Sequence, residues 1–282
     1  MRKRISFISV LTMFLAIGFV IIFSRPVKAA ANGVILKSNR TYAAYDVTGD
    51  GMKDKIRIRA ANQTDDEAYS SLTVSVNGKT AYRLKNTRFY NVIANIYTLK
   101  NGQPFLYLYA PADNGDGPVC ALLKYTNGKF RKILDFTEIM AGYGNHRIGE
   151  VTNLNGNKIV ITESIVSYSL GINAINFTYE YVNGKFVPTS RYGSYKEIYS
   201  ADGSSRHFTV SSDLPAYTRP GATAVNTTLK TGSLTKIIKC ALINGKMYIQ
   251  LECDGEIYWI KALENPPISD NERQFMEVRY AG

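Results

Sequence analysis

The stretch LLKYTNGKFRKIL, Leu122–Leu134, sets apolar residues on both sides of Asn127-Gly128. Asn and Gly are the residues that most readily take positive φ, which a two-residue turn between twisted antiparallel strands requires. The stretch therefore predicts a hairpin with Tyr125 set against Phe130 across the ladder. The same Asn-Gly-Lys lies between apolar runs in LTVSVNGKTAYRL (72–84), FTYEYVNGKFV (177–187) and IIKCALINGKMYIQL (237–251). In the 177–187 copy a two-residue loop pairs Tyr181 with Phe186. In the 72–84 copy a three-residue bulged loop fits better, pairing Val74 with Tyr82 and Leu72 with Leu84. Short alternating runs rich in Tyr, Val, Ile and Thr, with no long helical stripe, make the chain all-β.

The hairpins are in phase. Gly78, Gly128 and Gly184 are 50 and 56 residues apart, and a second glycine turn ahead of each hairpin, at Gly51, Gly102 and Gly156, repeats at 51 and 54. Two markers at one period predict three units of about four antiparallel strands over residues 32–190.

The first of those turns, YDVTGDGMKDKIRI (Tyr45–Ile58), concentrates acids. A hard cation takes six to eight oxygens, and alternate positions of a loop bent at glycine point inward. Here these are Asp46, Thr48, Asp50, the carbonyl of Met52, and Asp54. An EF-hand would add a Glu where Arg57 stands, so the helical version is excluded; the other reading is a turn whose Asp residues bond their own backbone. With "KIRI" following, the pattern resembles the calcium loop shared by integrin-type and VCBS-type β-propellers. That resemblance implies four-stranded, blade-like sheets and a structural calcium ion. Asn101 and Asn155 replace the acids in the later units. Three blades fall short of an ordinary ring, leaving a partial propeller, an open arc or a divergent fold.

Residues 191–207, part of a Gly- and Ser-bearing polar stretch, read as a linker. Beyond them, 208–264 is similar to the bacterial SH3-like domain, on LPAYTRPG (214–221), LKTGS (229–233), NGKMYIQL (244–251) and DGEIYWIKA (254–262). The resemblance implies a small β-barrel that binds cell-wall peptidoglycan or its stem peptides. Tyr217, Tyr248, Tyr258 and Trp259 are its candidate contact rings, against the competing use of such rings as core. The rival expectation is an adhesion module whose repeat region binds a surface protein through aromatics around Tyr107, Tyr109, Tyr168 and Tyr179. The tail, 265–282, is expected to form a short helix or a strand returning to the first domain.

Residues 1–30 read as an export signal: Arg2, Lys3 and Arg4, an uncharged run Ile5–Phe23, then small residues suited to cleavage after Ala29. At nineteen residues the run is also long enough to act as an uncleaved membrane anchor. The expectation is a secreted or envelope protein. Five basic residues lie in or beside the leader, so 29 remain against 23 acids, a net +6. That excess is spread out, unlike the basic stripe of a nucleic-acid binder, and suits weak attraction to polyanionic surface polymers. Cys120, Cys240 and Cys253 read as small buried hydrophobes; the hairpin register puts Cys240 opposite Ile249 and Cys253 opposite Lys236, too far apart for a disulfide. Catalysis is not expected. The two histidines, His146 in a glycine-rich loop and His207 by the linker, have no nucleophile in reach of the pattern, and the acidic loops at 113–116 and 65–67 read as solvated turns.

Overall fold

The computed structural model describes residues 34–199 and 206–280; the leader read at 1–30 lies outside them. The described chain is built of antiparallel sheets, with one four-residue helix, α1 (Phe136–Ile139). After the two-residue β1 (Val34–Ile35), the first sheet runs in chain order through β2 (Thr41–Tyr45), β3 (Asp54–Gln63), β4 (Tyr69–Val76) and β5 (Lys79–Phe89). In β3, buried Ile56, Ile58 and Ala60 alternate with exposed Lys55, Arg57 and Arg59, the period-two pattern of a strand wet on one face. The middle sheet is β6 (Ile93–Thr98), β7 (Pro104–Ala110), β8 (Val119–Thr126) and β9 (Lys129–Asp135), with β1 added beside β6.

The middle sheet is covered on both faces. Ile96, Leu106, Leu108 and Leu123 join Ile56, Ile58, Leu72 and Val74 of the first sheet in one core. Their neighbours Tyr97, Phe105, Tyr107 and Leu122 join Ile159, Ile161, Ile175 and Phe177 of the third sheet in another. Every residue of β7 is consequently buried, which explains why PFLYLYA shows no polar alternation.

The third sheet starts as β10 (Gly144–Asn155), β11 (Lys158–Ser167), β12 (Gly171–Val182) and the short β13 (Lys185–Pro188). It then continues through β14 (Tyr192–Ile198) and β15 (His207–Thr209) to β18 (Leu234–Ile243), β19 (Lys246–Cys253) and β20 (Glu256–Lys261), nine strands in all; β16 (Leu214–Ala216) and β17 (Thr227–Leu229) form a separate pair between. This corrects the linker reading over residues 192–198. β14 lies in that stretch and hydrogen-bonds to β12 on one side and β18 on the other, because Tyr195 and Ile198 have apolar surface to bury among the intervening polar residues. One core accordingly runs from the middle sheet through β10–β12 to Ile237, Cys240, Ile249 and Ile260.

The four Asn-Gly-Lys turns are two-residue hairpins, closing on Val76–Lys79, Thr126–Lys129, Val182–Lys185 and Ile243–Lys246, with both turn residues at positive φ. Tyr125 faces Phe130 and Tyr181 faces Phe186, as expected. The first hairpin differs: its loop has two residues, and the extra residue sits in the strand as a bulge after Val74, which still leaves Val74 opposite Tyr82 and Leu72 opposite Leu84. A bulge between Ile237 and Lys239 likewise moves Cys253 opposite Thr235 instead of Lys236. All three cysteines are buried and unpaired. The tail makes a 3-10 turn at Asp270–Glu272, then bridges Val210 at Phe275 and packs that ring on Phe208, with the centroids 5.6 Å apart.

Candidate ligand-binding face

The glycine-bent turn before β3 is held by its own acids. Asp46 Oδ1 accepts from Gly49 N at 2.6 Å and Asp50 N at 3.2 Å, and Oδ2 accepts from Gly51 N at 2.7 Å. Desolvation acts to raise the Asp46 carboxyl, but these backbone N–H groups outweigh it and hold the group below its ordinary value. Asp54 is buried and accepts from Val47 N at 2.7 Å, Thr48 N at 2.9 Å and Asn77 Nδ2 at 2.6 Å. The Thr48 hydroxyl lies 3.3 Å from Oδ1 of both Asp46 and Asp54, tying the two carboxyls together. Asp50 turns to Met52 N at 2.8 Å, and the Met52 side chain is exposed. The five residues read as calcium ligands thus share one turn, and their oxygens are of the kind a hard cation takes. N–H groups already engage those carboxylates, and among the described residues no group of three or more His, Cys, Asp or Glu is arranged to hold a metal ion.

The rings of the C-terminal half face inward. Tyr217, Tyr248 and Trp259 are 4–6% exposed and form a small core with Ala241 on the outer face of the nine-stranded sheet. The chain after β16 folds over them, with Tyr217 N donating to Trp259 O at 2.7 Å and Trp259 N to Tyr217 O at 2.9 Å, and Ala222 capping the cluster. Tyr258 is half-buried against the main core. These four rings are spent on packing instead of forming an open platform, since three large aromatics on one face are cheaper to cover than to hydrate. Tyr107, Tyr109 and Tyr179 are buried between sheets and Tyr168 is half-buried, so the middle and third sheets do not display them either.

Beside that small core the outer face stays open, and its polar side chains line up across the strands. Directly opposed residues follow one another as Glu150, Thr162, Asn176, Ser194, Lys239, Gln250 and Trp259, one from each of β10, β11, β12, β14, β18, β19 and β20. Opposed residues in an antiparallel ladder share a face, so this is one row. A groove of about 300 Å³ lies along its middle, lined by Asn176, Thr178, Ser190, Tyr192, Ser194 and Lys239, with no acid among its lining residues. The Thr162 hydroxyl is 2.7 Å from Asn176 Oδ1, which leaves the Asn176 amide N–H₂ without a partner among the described residues. The Lys239 ammonium sits 4.6 Å from the centre of the Tyr192 ring and 6.0 Å from that of Trp259, and among the described residues it pairs with no carboxylate. Aromatic faces hold a cation in place without neutralising it.

The acidic loop at 113–116, read as a solvated turn, meets β10 away from this face. His146, at a φ of 53°, places Nδ1 3.2 Å from Asp116 Oδ2, while Arg147 donates to Thr137 O and Gly144 O. The Thr137 hydroxyl bonds Asp135 at 2.8 Å, so it is not presented to His146 as a nucleophile, and the pair ties the middle sheet to the third. The polar row could not be read from the sequence because opposition across strands far apart in the chain depends on register. The composition of each strand alone, such as NFTYEY or SYKEI, shows only alternation. No family model, curated protein or solved structure matches this chain.

Proposed function

We propose that this is an exported, non-enzymatic binding protein of the bacterial cell envelope that engages cell-wall peptidoglycan. In this reading the three stacked sheets are propeller-like blades, and 208–264 is an SH3-like unit grafted onto the third. The observation that carries it is the open polar row with the unneutralised Lys239, on the same sheet face as the C-terminal strands. Hydroxyls, an amide and a fixed cation suit a hydroxyl-rich polymer of negative charge, and the mild basic excess adds long-range attraction. The test is co-sedimentation of the mature chain with purified sacculi at low and moderate salt. Retention at both is expected, and a chain that stays in the supernatant at low salt ends the proposal.

Calcium at the Asp46–Asp54 turn belongs to the same proposal as a structural reinforcement. Its support is the acid register and the Thr48 link between two carboxyls. Calcium at ten times its dissociation constant adds about 1.4 kcal/mol, read as a melt a few degrees higher in millimolar calcium than in chelator. Asp50→Asn should lose most of that difference, and a wild-type melt indifferent to chelator removes calcium from the account.

A further inference from the structure

We infer that the row Asn176, Ser194, Lys239 is a subsite for a glycan strand of peptidoglycan stripped of its stem peptides, laid across the β-strands with a free sugar carboxylate at Lys239. This deepens the wall-binding reading and rests on it.

Three observations select that occupant. The first is charge: the groove has one ammonium and no acid, and that ammonium is oriented by Tyr192 and Trp259 instead of by a carboxylate. An anionic partner completes it. Removing the stem peptide from peptidoglycan frees the lactyl carboxylate of the muramic acid, every second sugar of the glycan, which supplies such a group along the strand.

The second is donor chemistry. The Asn176 amide N–H₂ and the Ser194 hydroxyl have no partners among the described residues, and Asn176 is oriented by Thr162. Both suit ring hydroxyls and acetamido carbonyls.

The third is spacing. The three residues lie on adjacent strands β12, β14 and β18 as directly opposed pairs. Adjacent strands are about 4.8 Å apart, so the row spans about 10 Å with polar groups at a regular step. An extended peptide advances about 3.3 Å per residue, so it meets the two ends of the row only at every third residue and passes the middle position, Ser194, between residues. A β-linked sugar ring is a longer unit and keeps step with the strands. The row therefore favours the glycan part of the wall over its peptide part.

The experiment measures equilibrium binding of the full mature chain to three probes: peptide-free glycan strands from amidase-treated sacculi, isolated stem peptide, and a phosphate-bearing wall polymer. Tightest binding to the glycan strands is expected. Lys239→Met should weaken it about tenfold, as loss of a charge-assisted contact does, and Lys239→Arg should restore most of it. Asn176→Ala and Ser194→Ala should each weaken it a few-fold. Lys236→Met removes the same charge from an exposed position on β18 outside the row, and should leave binding unchanged. Equal loss in Lys236→Met and Lys239→Met would show general charge attraction and overturn the subsite. So would preference for stem peptide or the phosphate polymer, or wild-type affinity in a Lys239→Met variant that melts normally; in those cases binding to sacculi would still stand. A wild-type chain that binds neither sacculi nor glycan strands overturns both.

Discussion

Glu163 is a carboxyl that water cannot reach: it is fully buried, and neither oxygen has a hydrogen-bond partner among the described residues. Burial pushes its pKa well above the ordinary carboxyl value; Arg147 on β10 pulls it down, and Asp135 at the end of β9 adds to the rise. Cys120 on β8 and Tyr179 on β12 feel the same charge, and both are raised chiefly by their own burial. With a folded-state pKa above the unfolded one, the folded protein holds the extra proton. The contribution of Glu163 to stability is therefore greatest below about pH 4.5, near the unfolded carboxyl value, and is lost as pH rises through the folded pKa. Glu163→Gln should remove that slope and gain about 1–3 kcal/mol at pH 8; urea melts from pH 4 to 9 check both, and an unchanged slope would mean the acid finds solvent. Its neighbour Gly149 has no room for a side chain: a Cβ there would lie 2.3 Å from Glu163 Oε1 and 2.4 Å from the Phe136 ring. Gly149→Ala should cost about 1–3 kcal/mol through overpacking, seen as a lower denaturant midpoint.

Among the elements, the four Asn-Gly-Lys hairpins are the most self-determined. Gly78, Gly128, Gly184 and Gly245 all have positive φ, and a Cβ on any of them would meet nothing within 4 Å. Replacing Gly184 by Ala should therefore cost only backbone strain, about 1 kcal/mol, and the same change at Gly128 should add independently since the turns lie in different sheets; a double variant far from additive would mean the hairpins are coupled. This local chemistry is why the hairpins and the Tyr125–Phe130 and Tyr181–Phe186 pairings were legible in the sequence. Other elements depend on distant partners and were not. β14 reads as YGSYKEI, a polar stretch with a glycine, and becomes a strand because β12 and β18 offer it edges on both sides. Glu163 sits in IVITESIV, an ordinary strand pattern, and it is the middle sheet stacked over the face it shares with Ile161 and Ile165 that buries it. Of the candidate site, the aromatics were visible as residue types, but their burial follows from the chain between β16 and β17 closing over them.

For the whole molecule, the organising fact is a stack: the middle sheet is sandwiched between the first and the third, and the third runs on without a break into the C-terminal strands. A chain ending at residue 199 would keep β14 but lose β18, β19, β20 and their share of the shared core. Such a fragment should bind a hydrophobic dye and show poor amide protection, whereas the full chain should unfold in one transition by both circular dichroism and intrinsic fluorescence. A fragment with a sharp melt of its own would show that the two halves are separately stable. One property of this assembly extends beyond its geometry. Its three thiols are sealed inside the sheets and none is joined to another, so no covalent cross-link contributes to holding the layers together. The protein can reach and keep its final shape equally in reducing or oxidising surroundings, without help from any thiol-oxidising catalyst.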